Sequence, residues 1–232
     1  MHEFFHNWYT QYLSRNFEML VFGETGKPFI LFPQAGGRYY DLKDNGFVHA
    51  LSDKVNNSEM KLYCPDTIDN ESWLDYEIDP AERVKKHLAY EKLILNDVVG
   101  FAKYETEQEK VGLIGVGLGG YHALNLALKY PDKFHTCITF SGLFNIKRFI
   151  YGYYDENCYF NNPVDYLPGL KDDWYINHLN EMQITIYSFE HDDTLHENIE
   201  ISSLLNDKSI NHNFHVRNGV KGDWGSWNKI VL

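Results

Sequence analysis

Six consecutive residues, Gly115-Val116-Gly117-Leu118-Gly119-Gly120, carry the clearest chemical signal in this chain. They lie between a short apolar run (Val111, Leu113, Ile114) that reads as a buried strand and a helix-periodic run (Ala123, Leu124, Leu126, Ala127, Leu128). Four glycines at such a junction let the backbone turn sharply where side chains would clash. Two chemistries fit the spacing. Gly115, Gly117 and Gly120 satisfy G-x-G-x-x-G, which places a dinucleotide pyrophosphate on the N-terminus of the following helix. Gly115 and Gly119 instead frame G-x-S-x-G, the turn that presents a nucleophilic serine, with glycine standing at the nucleophile position, 117.

The flanking elements weigh against the cofactor reading. A dinucleotide fold puts this turn after its first strand and an acidic residue about 20 residues later. Here more than a hundred residues precede the turn, and the next apolar run, Cys137 to Phe140, ends in Ser141-Gly142 without a carboxylate. No cofactor is expected.

Further segments support the nucleophile turn. Phe32-Pro33-Gln34-Ala35-Gly36-Gly37-Arg38-Tyr39-Tyr40, Glu71-Ser72-Trp73, Gly119-Gly120-Tyr121-His122-Ala123, Ser141-Gly142 and Asp223-Trp224-Gly225-Ser226-Trp227 occur in that order over nearly the whole chain. The set resembles the esterase D-type "putative esterase" family of α/β-hydrolases. The resemblance implies a catalytic Ser at 117 and a His directly before Asp223-Trp224; this chain has Gly117 and Gly222 there. It also implies that the loop after Phe32 supplies half of an oxyanion hole and that Asp193 is the surviving acid, or Asp192 if the register slips by one. An acid alone does no chemistry, because its role is to orient a histidine that takes the serine proton.

The elements that must position these residues read as follows. Phe17 to Phe22 and Phe29 to Phe32 are strands joined by a turn-rich link of hairpin length, expected to start the sheet as antiparallel neighbours. Asp41 to Leu51 reads as loop and short helix, Lys61 to Cys64 as a third strand, and Thr67 to Asp79 as a long loop. Asp79 N-caps a helix from Pro80 to Ala102. Phe134 to Phe140, Ile184 to Tyr187 and Asn213 to Val216 are further strands, with a helix from about His196 to Leu205 and a short final helix that Ser226 would cap. Alternating strands and helices imply a mostly parallel sheet with helices on both faces and an antiparallel N-terminal edge, its sites at the carboxyl ends of strands. The whole, 1–232, reads as one α/β-hydrolase domain with a Tyr-rich insertion at about 144–175 that would wall or cap the site.

Composition bounds the function. The formal net charge of −12, with no basic cluster, argues against nucleic-acid and anionic-membrane surfaces. No apolar run approaches the ~20 residues of a membrane span. The N-terminus lacks the pattern of a secretory signal, and Cys64, Cys137 and Cys158 suit neither a disulfide framework nor a zinc site, so a cytoplasmic location is expected.

Ser141 reads as structural and His122 as a packed, hydrogen-bonded histidine. His191, Asp192, Asp193 and His196 are close in sequence, but on a loop entering a helix such groups are usually solvated or capping, so no metal is expected. The leading reading is a non-catalytic α/β-hydrolase whose cleft, lined by Gly36, Gly37, Gly117, Leu118 and the Tyr-rich segment, binds a small-molecule ligand or a protein partner, with a homo-oligomer also compatible. The competing reading is a carboxylic-ester hydrolase using His191 or a water positioned by Asp193.

Overall fold

The densest apolar runs become the central strands. β1 (Glu3–Thr10), β2 (Arg15–Phe22), β3 (Lys27–Phe32), β4 (Met60–Pro65), β5 (Val111–Val116), β6 (Phe134–Phe140), β7 (Gln183–Phe189) and β8 (Asn213–Arg217) form one sheet in the order β1-β2-β4-β3-β5-β6-β7-β8. This computed structural model describes residues 1–231. β1 with β2 and β2 with β4 pair antiparallel; every later pairing is parallel. β4 and β5 are buried along their entire length, as strands covered on both faces must be.

Side chains alternate between two cores. Ile30, Phe32, Tyr63 and Leu113 face one layer; Phe29, Leu31, Leu62 and Ile114 face the other. The first layer is built by α4 (Pro80–Leu93), α5 (Val99–Thr106), α6 (Leu118–Lys129) and α10 (Leu195–Asp207). The second is built by α1 (Asp41–Asp44), α2 (Phe47–Ala50), α3 (Ser52–Asn56) and α11 (Trp224–Val231). α7 (Glu156–Tyr159), α8 (Pro163–Tyr166) and α9 (Asp173–Glu181) lie between β6 and β7. Among the described residues no helix is long and apolar enough to cross a membrane.

Four features differ from expectation. β2 and β3 are not neighbours, because β4 inserts between them, Leu20 opposite Cys64 on one side and Phe29 beside Leu62 on the other. β1 was not expected as a strand at all. The helix from Pro80 is joined to α5 by a π-helical stretch, Ile94–Val98, so it runs to Thr106 rather than stopping at Ala102. At the far end, the α11 cap is Asp223, whose Oδ1 accepts from the Ser226 amide at 2.7 Å, while the Ser226 hydroxyl bonds back to the Lys221 carbonyl.

The junction of β5 and α6 depends on glycine. A Cβ on Gly115 would lie 2.1 Å from the Gly119 carbonyl oxygen, and one on Gly119 would lie 2.2 Å from that of Pro33. Strand, helix and the loop after β3 therefore touch backbone to backbone, and that contact fixes where α6 begins.

Behind the junction, a buried polar seam ties the segment after β6 to α4 and α6. Asn161 Oδ1 receives Lys129 Nζ at 2.9 Å and Asn125 Nδ2 at 3.1 Å and faces His87 Nε2 at 3.2 Å. Lys129 also bonds Glu91 at 2.6 Å, and the Tyr121 hydroxyl donates to the Asn161 carbonyl at 2.8 Å. Burial, then the nearby His122 and Lys129 charges, hold the His87 imidazole well below its ordinary value.

Gly115→Ala and Gly119→Ala should each lower the unfolding free energy by about 3 kcal/mol or more through backbone overlap. Gly100→Ala in α5, where a Cβ meets nothing within 4 Å, should raise it by about 0.5–1 kcal/mol; urea unfolding reads all three. Below about pH 6.5 the unfolded chain protonates His87 while the folded one does not, so the unfolded state binds more protons and stability falls as pH drops. His87→Gln should flatten that decline in unfolding curves taken between neutral and mildly acidic pH.

Candidate functional site

Gly117 sits at the carboxyl end of β5 with φ 57° and ψ −118°, a conformation only glycine adopts freely. Its amide donates to the Phe140 carbonyl at 2.9 Å, and its own carbonyl accepts from the Leu143 amide at 3.1 Å. A Cβ there would meet one atom, Gln34 Cγ, at 3.2 Å, so a small side chain at 117 has room to stand. The Leu118 amide, at the first position of α6, finds no protein acceptor among the described residues, as expected of the first turn of a helix. The amides of Gln34 and Ala35 likewise find no protein acceptor among the described residues.

Gly222 converges on the same place. The turn from Phe140 to Leu143 bonds Gly117 on one side, and its Ser141 abuts Gly222 on the other. Position 222 is crowded by side-chain ends, which a side chain there would have to displace. A Cβ would lie 2.2 Å from Ser141 Oγ, 2.7 Å from Asp192 Oδ1 and 2.8 Å from Trp227 Nε1. Those atoms also bond across the gap, Trp227 Nε1 donating to Ser141 Oγ at 3.1 Å and the Gly222 amide to Asp192 Oδ1 at 2.7 Å. Ser141 has a left-handed backbone, φ 51°, and is buried.

The acid nearest this spot is Asp192 and not Asp193. After β7 the chain turns so that Asp192 Oδ2 accepts from the Phe189 amide at 3.0 Å, which points the carboxylate inward. Asp193, one residue on, is exposed and pairs with Lys221 at 3.3 Å. His191 and His196 are exposed as well. Among the described residues no group of three or more His, Cys, Asp or Glu is placed to hold a metal ion.

The loop expected to offer Gly36 and Gly37 amides to a ligand spends both internally. Gly37 N–H closes a turn onto the Gln34 carbonyl at 2.8 Å, and Gly36 N–H donates to Asp69 Oδ2 at 3.2 Å. The other Asp69 oxygen pairs with His122 Nε2 at 2.8 Å, both side chains buried. Asn70 Nδ2 and Thr67 Oγ1 hold the Gly36 and Gly37 carbonyls at 3.2 and 2.6 Å. Asp69 thus anchors this loop to α6 through His122, a role no motif signalled. The remaining outward donors are the amides of Leu118, Gln34 and Ala35.

The Tyr-rich segment begins beside Gly117 and then runs along α6. Its tyrosines line a cavity of ≈ 550 Å³ at the C-terminal end of that helix, with Tyr159, Tyr166 and Tyr175 facing Leu128 and Tyr130. Gly36 and Gly37 border a separate cavity of ≈ 220 Å³ with Arg38 and Asp66. The serine–histidine contact, Ser202 Oγ to His212 Nε2 at 2.7 Å, lies elsewhere. α10 starts beside Ser141, where Thr194 Oγ1 bonds the Ser141 carbonyl, and Ser202 is roughly 10 Å further along that helix.

Comparison with known proteins places this geometry. No curated protein matches the sequence. Among solved structures, a ferulic acid esterase is similar at 16% identity and TM-score 0.79, over 99% of this chain and 95% of that one. An S-formylglutathione hydrolase from Agrobacterium tumefaciens is similar at 12% identity and TM-score 0.75, over 99% and 91%; one from Staphylococcus aureus at 11% and 0.68, over 99% and 94%. At these identities the likeness establishes an α/β-hydrolase fold. The family model described as "Putative esterase" matches residues 41–230, and the chain belongs to that family of α/β-hydrolases.

Proposed function

We propose that this esterase-like α/β-hydrolase holds a small ester or carboxylate at the β5–α6 junction without cleaving it. The observation that carries this reading is the crowding of position 222. Serine-hydrolase chemistry needs a hydroxyl at the turn and an imidazole within hydrogen-bond reach of it. Glycine at 117 removes the first. At 222, Ser141 Oγ, Asp192 Oδ1 and Trp227 Nε1 occupy the space that the base of an imidazole side chain would need. Loss of either group alone costs about 10⁶-fold in turnover in a serine protease. The unpaired amides at the start of α6 and in the Gln34-Ala35 turn supply donors for a carbonyl or carboxylate oxygen. Asp192, with its oxygens turned toward the Phe189 and Gly222 amides, acts as a structural acceptor in this reading.

The alternative catalytic set gains nothing from the geometry. His191 and Asp193 are exposed, and Asp193 is engaged by Lys221. The protein should therefore turn over short-chain nitrophenyl esters at the buffer rate, followed at the nitrophenolate absorbance. Turnover that His191→Ala or Asp193→Asn abolishes would overturn the reading. Introducing Ser and His at these positions, Gly117→Ser with Gly222→His, should give turnover only slightly above the buffer rate while Ser141 Oγ crowds position 222. Adding Ser141→Gly, which suits φ 51° and clears the nearest atom, should raise turnover at least about tenfold above the double variant.

A further inference from the structure

The sheet has two free edges, and they differ in kind. β8 is five residues long, mixes Asn213, His215 and Arg217 into its run, and so carries the short length and positive charge that discourage pairing. β1 is eight residues long, Glu3-Phe4-Phe5-His6-Asn7-Trp8-Tyr9-Thr10, with no Pro, Lys or Arg and an unbroken register against β2 from Glu3–Phe22 to Thr10–Arg15. Its single carboxylate, Glu3, is neutralised by Lys43 at 2.8 Å. Phe5 is 55% exposed and Tyr9 66%.

Hydrogen-bond parity determines what this edge can accept. The Gly23 amide donates to the His2 carbonyl at 3.0 Å, so residues 2 and 23 form a hydrogen-bonded pair. Even-numbered residues of β1 therefore bond to β2, and the N–H and C=O groups of Glu3, Phe5, Asn7 and Tyr9 point away from it. On the even face His6 lies edge-on to Phe101 with ring centroids 5.0 Å apart, and Trp8 Nε1 bonds Asp97 at 3.2 Å, while Phe4 stacks on His2 and stays 42% exposed. Phe5, Asn7 and Tyr9 share the opposite, exposed face.

We infer that β1 is a self-association edge, pairing antiparallel with β1 of a second copy about a two-fold axis at Asn7. Centring there puts Phe5 opposite Tyr9 of the other copy on both sides of the axis, with Asn7 opposite Asn7. All three pairs use the outward-pointing backbone groups, giving about six inter-chain hydrogen bonds and two aromatic cross-strand pairs. Centring on His6 would set Phe5 against Asn7 and Glu3 against Tyr9, and centring on Phe5 would leave Tyr9 without an aromatic partner. The sequence is thus self-complementary in one register, and the two-fold closes after two copies. With a net charge of −12 on each chain, the copies repel at long range, so added salt strengthens the pairing.

Light scattering over a wide concentration range tests this. The wild-type mass should rise from one chain toward two, and further at higher salt. Asn7→Pro removes an outward donor and leaves the β1–β2 ladder intact, since edge strands tolerate proline there; it should weaken association at least about tenfold with an unchanged circular dichroism spectrum. Phe5→Lys and Tyr9→Glu should each weaken pairing, and the two together should recover it, because the register sets the introduced lysine against the introduced glutamate of the other copy. A wild type that stays one chain in mass, a double variant no better than the single ones, or growth beyond two copies each contradicts the inference.

Discussion

The backbone-to-backbone contact of β5, α6 and the loop after β3 is the constraint on which the rest depends. Gly115 lets the strand pass beneath the Gly119 carbonyl, and Gly119 lets the helix rest on Pro33. With both contacts made, α6 can begin only at Leu118, and Gly117 is left in a left-handed turn at the carboxyl end of the sheet. A side chain at 117 would stand in strain of about 1–3 kcal/mol, which glycine avoids. The chain thus keeps the scaffold of a nucleophile turn and its helix-end donors without the reactive group.

Around that turn, the two glycine positions 117 and 222 differ in their surroundings. Position 117 stays open, with one atom of Gln34 near it, whereas position 222 is crowded by the side-chain ends of Ser141, Asp192 and Trp227. This cluster has its own hydrogen bonds and a buried serine in left-handed backbone, so disturbing it costs interactions as well as volume. A side chain at 222 would therefore have to displace the Ser141 hydroxyl from its bond with Trp227. The buried Asp69–His122 pair works in a similar way on the facing loop. It consumes the Gly36 amide and ties the loop to α6, leaving the preceding residues, Gln34 and Ala35, with the unpaired donors.

Much of the fold was legible because central strands are continuous apolar runs bounded by turn residues. Val111 to Val116 and Phe134 to Phe140 could be placed from sequence for that reason. β1 was hidden because its aromatics face solvent on an edge and share no clean alternation with a core. The order of β2, β4 and β3 was hidden because a link of hairpin length says nothing about a later strand inserting between its arms. At the site, motifs single out Gly117 and Gly222, and the structure sets both against the turn from Phe140 to Leu143. The choice of Asp192 over Asp193 was not, since it rests on a one-residue turn in which the Asp192 carboxylate caps the Phe189 amide; Asp-containing turns of this kind are its only sequence signal. Asp69 and Trp227 act through tertiary contacts and carry no local signature.

On the proposed reading, no serine of this chain is activated beside the β5–α6 junction. Incubation with an alkyl fluorophosphonate, followed by intact-mass and peptide mass spectrometry, tests it most directly, because such reagents phosphonylate a serine only when a base takes its proton and an oxyanion site stabilises the attack. The account predicts an unmodified protein, with Ser141 and Ser202 unlabelled after prolonged exposure. A stoichiometric adduct on Ser141, or on any other serine, would contradict it.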